Sequence, residues 1–191
     1  TSIGGIIVDS GCFPWDQHKE RFARLNEPDP SYHGVVYVEA LGPAAFIGRA
    51  RVVPLRNTGA AISPFNSFLI LQGIETLPVR MDRHCENALK VAEYLQNHAQ
   101  VSWVNYPALA DSPAKPLVDK YMGGRGSSVL SFGIQGGREA GARFIDALQL
   151  VTRLVNIGDA KSLACHPAST THRQLSPAEL ARAGVSEDLV R

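Results

Sequence analysis

Between Ser63 and His98 an apolar residue recurs every three or four positions. Phe68, Leu71, Ile74, Leu77, Met81, Cys85, Ala88, Ala92 and Leu95 form this series. Steps of that size place the side chains in one stripe along a helix. Ser63 is suited to cap the first turn, and Pro64 fits the first helical position. A single helix over 63–98 would reach about 50 Å at 1.5 Å per residue, enough to join two lobes. Pro78 falls inside it and predicts a kink, because proline lacks a backbone donor and its ring crowds the preceding turn.

The chain has a different texture on each side of this segment. Residues 3–9 read as one short buried strand ended by Asp9-Ser10-Gly11. Residues 12–34 hold Pro14, Pro28 and Pro30 among charges and the aromatics Phe13, Trp15, Phe22 and Tyr32. This predicts a long irregular excursion with one short helix at 15–25. Such loops are usually functional or disordered, and the aromatics favour a packed role, including cover for another subunit. A helical segment is expected around 44–53. After the stripe, Val101–Tyr106 reads as a strand ended by Pro107, and residues 128–134 as a second. Gly136-Gly137 leads into a helix at 138–149, and Leu154-Val155-Asn156-Ile157 reads as a third strand. Ser176-Pro177-Ala178-Glu179 has the form of a capping box, in which serine and glutamate satisfy each other's amides. The expected domains are therefore 1–62, a connecting helix at 63–98, and a small α/β lobe at 99–191.

Composition narrows the classes of function. The 191 residues are 45% hydrophobic, and 19 lysines and arginines face 18 aspartates and glutamates. That balance excludes intrinsic disorder and argues against a dedicated nucleic-acid binder. No apolar run approaches the roughly 18 residues of a membrane span. The first residues carry no basic region or long apolar run of a secretory signal. Three scattered cysteines do not make a disulfide framework, and a reducing cytoplasm is the simplest reading. Both ends read as cut: the chain opens at Thr1 on an apolar run, and Leu189-Val190-Arg191 reads as the start of a strand.

Few residues suggest chemistry by themselves. His84-Cys85 and Cys165-His166 are adjacent pairs, not the spaced ligands of a zinc site. Cys85 lies on the apolar stripe and reads as core. His166 reads as a loop histidine with satisfied hydrogen bonds, because a nucleophile and its base are assembled across a fold. The Gly-Gly pairs match no phosphate-binding motif and read as turns. The polar loop from Asn156 through His172 follows a strand, and such loops carry binding residues or serve as solvated connectors. Arg191 reads as a surface charge or, entering a buried strand, as the fork for a carboxylate or phosphate.

Four stretches are distinctive together: Glu27–Gly34, Asn57–Asn66, Arg80–Ala88 and Asn156–His172. Through them the chain resembles, over essentially its whole length, the C-terminal half of the O-acetylhomoserine sulfhydrylases. These belong to the cysteine/methionine-metabolism class of pyridoxal-phosphate (PLP) enzymes. The last two stretches mark the whole class; the first two, with the 12–50 insertion, point to the sulfhydrylase branch.

The resemblance implies a type I (aspartate aminotransferase-like) fold. Residues 1–62 would end the PLP-binding large domain, followed by the connecting helix and a truncated C-terminal α/β domain. It implies a cytoplasmic homotetramer that makes L-homocysteine from O-acetyl-L-homoserine and sulfide by γ-replacement, with no nucleic-acid or membrane partner. Thr1-Ser2-Ile3-Gly4-Gly5 matches the segment just after the family's cofactor-lysine turn, so PLP would be bound by residues before Thr1. None of Lys19, Lys90, Lys115, Lys120 or Lys161 sits in the matching motif. Two substrate contacts carry over: Arg191, in the Leu-Val-Arg run that binds the substrate carboxylate, and Asn156, at a strand end that helps hold it. Related readings are O-succinylhomoserine sulfhydrylase, cystathionine γ-synthase and methionine γ-lyase. From another class, the chain alone could act as a non-catalytic binding or assembly module.

Overall fold

The computed structural model describes residues 2–191. Thr1, which begins the stretch matched to the segment just after the cofactor-lysine turn, lies outside the described residues. The chain divides into two compact units, Thr1–Ile74 and Glu75–Arg191.

In the first unit the strand expected at 3–9 does not form. Residues 2–10 have no regular structure, and Ile6 is 87% exposed. A strand needs a neighbour for its backbone groups and a layer for its apolar face. No described segment supplies the neighbour. The insertion, in contrast, builds its own small core. A 3₁₀ turn at Trp15–His18 leads to α1 (Ala23–Asn26), α2 (Tyr37–Leu41) and α3 (Ala45–Ala50). Helicity continues through a π-helical stretch at Arg51–Leu55 into α4 (Arg56–Thr58). Leu25, Tyr37 and Ala45 are buried together, with Trp15, Tyr32 and Val35 against them. Trp15 stacks on Phe46 at 5.6 Å.

The helix expected over 63–98 is two helices, α5 (Pro64–Glu75) and α6 (Leu77–Gln96). Thr76 interrupts them, and its carbonyl accepts from the Arg80 amide. Pro78 explains the break. It has no N–H for the Ile74 carbonyl, and its ring would press on that same group. At the second position of α6 neither problem arises. A 20-residue α6 extends about 30 Å. The stripe also divides: Cys85, Ala88 and Ala92 are buried, whereas α5 buries none of its residues.

The second unit adds β1 (Val101–Asn105), α7 (Lys115–Met122), β2 (Ser131–Ile134), α8 (Gly137–Ala147), β3 (Thr152–Arg153), β4 (Leu163–Ala164), α9 (Pro177–Arg182) and β5 (Leu189–Val190). Strands β1, β2 and β5 form an antiparallel sheet in that order, with Phe132 opposite Val190. Strands β3 and β4 pair in parallel. Beyond β4, Cys165 and Arg191 exchange both backbone hydrogen bonds, at 2.8 and 3.0 Å. This antiparallel pair carries the ladder from β5 to β4.

The third strand lies two residues earlier than the expected 154–157. Leu154 still donates to Ala164, but His166 turns into a 3₁₀ helix at Pro167–Ser169 and leaves the residues beyond Leu154 without a partner. Phe132, Ile145 and Val190 form the core beneath the sheet, and Ala88, Ala92, Tyr106 and Val118 form a second cluster along α6. The capping box forms as expected. Ser176 Oγ accepts from the Glu179 amide, and the Glu179 carboxylate accepts from the Ser176 amide at 2.9 Å.

Candidate functional site

Arg191 directly follows buried Val190, so the backbone that presents it is fixed from within the core. One flank of this segment belongs to β2, where the Ile134 amide donates to the Asp188 carbonyl at 3.0 Å. The other flank belongs to Cys165. The Arg191 residue itself is exposed, and among the described residues no carboxylate pairs with its guanidinium. A cationic fork whose backbone is bonded on both flanks, with no carboxylate partner among the described residues, is suited to receive an external carboxylate.

Asp188 anchors the same segment from its side chain. Its Oδ2 accepts from Trp103 Nε1 at 3.0 Å and from Ser102 Oγ at 3.4 Å. Burial pushes the carboxyl up, but hydrogen bonds from Ser186, Trp103, Ser102 and its own backbone outweigh this and hold it below the ordinary value. Gly133 makes room for the contact. A Cβ there would lie 2.1 Å from Trp103 Nε1 and 2.3 Å from Asp188 Oδ2.

Asn156 lies two residues beyond Leu154, past the end of the β3 ladder. The ladder brings Asn156 and Arg191 toward the Leu163–Cys165 segment from opposite flanks, and no contact joins their side chains among the described residues. The Asn156 Nδ2 donates to Asp159 Oδ2 at 3.3 Å, and its Oδ1 accepts from the Ile157 amide at 2.9 Å. Asp159 in turn accepts from the Lys161 amide at 2.9 Å. The Lys161 amide, followed by the Asn156 side chain, holds the Asp159 carboxyl below its ordinary value. An amide nitrogen has two hydrogens, so Asn156 retains one donor.

The Cys165-His166 pair is not a nucleophile and its base. Cys165 is buried; burial pushes its thiol up, only partly offset by the charge of Arg191. A thiol so protonated is a poor nucleophile. His166 has no exposure, and both ring nitrogens are occupied, by Ser169 Oγ and the Glu187 carbonyl, each at 2.8 Å. Among the described residues no three His, Cys, Asp or Glu side chains group as a metal site. A cavity of about 300 Å³ lies among Asp82, Cys85, Tyr106 and Arg125, and neither Arg191 nor Asn156 lines it. Burial pushes the Tyr106 hydroxyl there up to about 12, which leaves it no role as a base.

The lysines do not form a site for an aldehyde cofactor. Lys90 pairs with Glu86 at 2.7 Å, Lys115 with Asp119 at 2.6 Å, and Lys120 lies over the Tyr121 ring. Lys19 and Lys161 are exposed. None of the five is buried, whereas a Schiff-base amine is typically desolvated in an apolar pocket or set beside another cation.

Sequence reasoning missed Trp103, Asp188 and Gly133 as supports. Trp103 and Asp188 are 85 positions apart, and only strand pairing brings them together.

The profile of the Cys/Met metabolism PLP-dependent enzyme family matches residues 1–191. The chain is 50% identical over 189 residues to O-acetyl-L-homoserine sulfhydrylase 1 of Thermus thermophilus, covering 99% of this chain and 44% of that protein. It is 52% identical over 200 residues to the O-acetyl-L-homoserine sulfhydrylase of Leptospira meyeri, covering 100% of this chain and 45% of that protein. A Campylobacter jejuni crystal structure assigned as an O-acetylhomoserine (thiol)-lyase carries N'-pyridoxyl-lysine-5'-monophosphate. It superposes with a TM-score of 0.81 at 42% identity, over 90% of this chain and 40% of that one. The chain thus spans less than half the length of these relatives.

Proposed function

The chain belongs to the Cys/Met metabolism PLP-dependent enzyme family, and from that premise we propose that it is the C-terminal part of an O-acetylhomoserine sulfhydrylase. The observation that carries this reading is Arg191: a guanidinium whose backbone is bonded on both sides, with no carboxylate paired to it among the described residues. Identity of about half along the whole chain to sulfhydrylases supports the choice of branch.

In this reading the enzyme converts O-acetyl-L-homoserine and hydrosulfide to L-homocysteine and acetate. The Cγ–O bond breaks, acetate leaves with the bonding pair, and a Cγ–S bond forms. PLP supplies the electron sink for this chemistry. The lysines of this chain do not suit it, so its Schiff-base lysine belongs to a part of the enzyme outside this chain. What this chain contributes is orientation. Arg191 grips the substrate carboxylate with two parallel N–H donors, and Asn156 adds its remaining amide hydrogen to the same group. Holding the carboxylate fixes Cα and Cγ relative to the cofactor without a proton transfer by either residue. Residues 1–62 would end the large domain and 99–191 form the small domain, with α5 and α6 between them in sequence. The assembly is a homotetramer in the cytoplasm.

Assaying the full-length enzyme with O-acetyl- and O-succinylhomoserine plus sulfide tests the reading. Homocysteine from the acetyl ester is expected; its absence overturns the proposal. The isolated 191-residue chain should show neither bound-cofactor absorbance nor turnover.

A further inference from the structure

His166 is the most thoroughly enclosed polar side chain of the second unit, with no exposed surface. The Glu187 carbonyl can only accept, so the ring nitrogen that meets it at 2.8 Å, Nε2, carries a proton. Nδ1 meets Ser169 Oγ at 2.8 Å, and the His166 carbonyl accepts from Thr170 Oγ1 at 2.8 Å. A ring enclosed in this way cannot exchange protons with a substrate. Its neighbour in sequence, Cys165, is the residue that exchanges both backbone hydrogen bonds with Arg191. The Cys165–His166 segment therefore grips the 187–191 segment at two points, one at each end. Gly141 of α8 gives the ring its space: a Cβ there would lie 2.5 Å from Cδ2 and 2.6 Å from Nε2.

From this geometry we infer that His166 is a positioning residue for Arg191: its Nε2–H bond to Glu187 fixes the segment that delivers the guanidinium. The inference rests on the reading of Arg191 as the substrate-carboxylate contact. An apolar ring or chain in place of His166 removes the hydrogen bond that the Glu187 carbonyl accepts. The 187–191 segment then keeps its Cys165 contact but loses the one at its other end, and Arg191 is held less closely. A displaced guanidinium makes longer, poorer hydrogen bonds to the substrate carboxylate, and the weakened grip is read in KM.

The test compares two amide variants in the full-length, cofactor-loaded enzyme. His166→Gln places an amide nitrogen at the Nε2 position and keeps the bond to Glu187. His166→Asn reaches only the Nδ1 position and loses it. His166→Asn should raise the KM for O-acetylhomoserine about tenfold, with the KM for sulfide, kcat at saturation and cofactor absorbance preserved. His166→Gln should stay within about twofold of the parent. Gly141→Ala, which pushes the ring off Glu187 without changing the ring, should reproduce the His166→Asn effect. Amide exchange at Cys165 and Arg191 should quicken in His166→Asn and Gly141→Ala but not in His166→Gln. Adding His166→Asn to Arg191→Ala should raise KM no further. Equal KM values for the Gln and Asn variants, or a fall in kcat alone, overturn the inference. If Arg191→Ala itself leaves KM unchanged, it is the substrate-site reading that fails. If Arg191→Ala raises KM and His166→Asn does not, only the positioning role fails.

Discussion

The β5 segment at 187–191 and the loop at 154–162 each carry one candidate substrate contact, but they are supported in opposite ways. Arg191 is held by a frame it does not belong to: β2 on one side, Cys165 and His166 on the other, and buried Val190 just before it. Asn156 is held by its own loop, through Asp159 and the Ile157 amide, and nearly every residue around it is exposed. A side chain with outside supports has its position set by the core. One supported by near neighbours in sequence can reorganise at little cost. In the proposed reading, Arg191 would be the fixed contact and Asn156 the adaptable one.

The largest expected effect is at Arg191. In the full-length enzyme, Arg191→Ala should raise the KM for the amino-acid substrate roughly 100-fold, because two charge-assisted hydrogen bonds are lost. Cofactor absorbance should be unchanged, and Arg191→Lys should recover only part of the loss, since lysine lacks the fork. Next is the frame itself. Gly133→Ala forces a Cβ into Trp103 and Asp188 and should cost about 1–3 kcal/mol in chemical denaturation. A neutral result would show that the frame is loose. Asn156→Ala is expected to be milder, with a KM rise of about tenfold or less and stability within about 0.5 kcal/mol. An effect as large as that at Arg191 would erase the distinction between the two regions.

The smallest effect is one of pH. Asp188 has a folded value below the ordinary 3.8 of an aspartate. Its contribution to stability is therefore complete above that value and is lost as pH falls through the lower, folded one. Acid unfolding followed by Trp103 fluorescence should show this dependence, and Asp188→Asn should remove it. An unchanged acid limb in that variant would mean that other carboxylates govern the transition.

Local signals in the sequence carried much of the fold. The β1 and β2 strands, α8 and the Ser176–Glu179 capping box all follow from periodicity or from side chains close in sequence. One failure is local and two are not. Pro78 signals a disruption but cannot say whether the helix bends or restarts; the answer is set by how α6 begins at Thr76. Residues 3–9 have the composition of a strand, but a strand exists only where a neighbour pairs with it. The 154–157 strand ends early because its partner turns away at His166, not because of its own residues. The candidate site divides in the same way. Arg191 and Asn156 emerged from family resemblance, whereas the supports of Arg191 depend on strand pairing: Trp103 with Asp188, and His166 with Glu187.

The place of β5 in the ladder has a consequence for how the chain folds. In sequence β5 follows every other strand of its unit, yet in space it sits between β2 and the β4 segment. The β1–β2 and β3–β4 pairs use nearer partners and can form while β5 is still elsewhere, whereas the gap between them closes only when β5 inserts. Such distant pairings carry the greater loop-closure cost and tend to come late. Until β5 inserts, the edge of β2 and the Cys165 backbone lack this partner, so the Arg191–Cys165 pair should be among the later contacts of the unit to form.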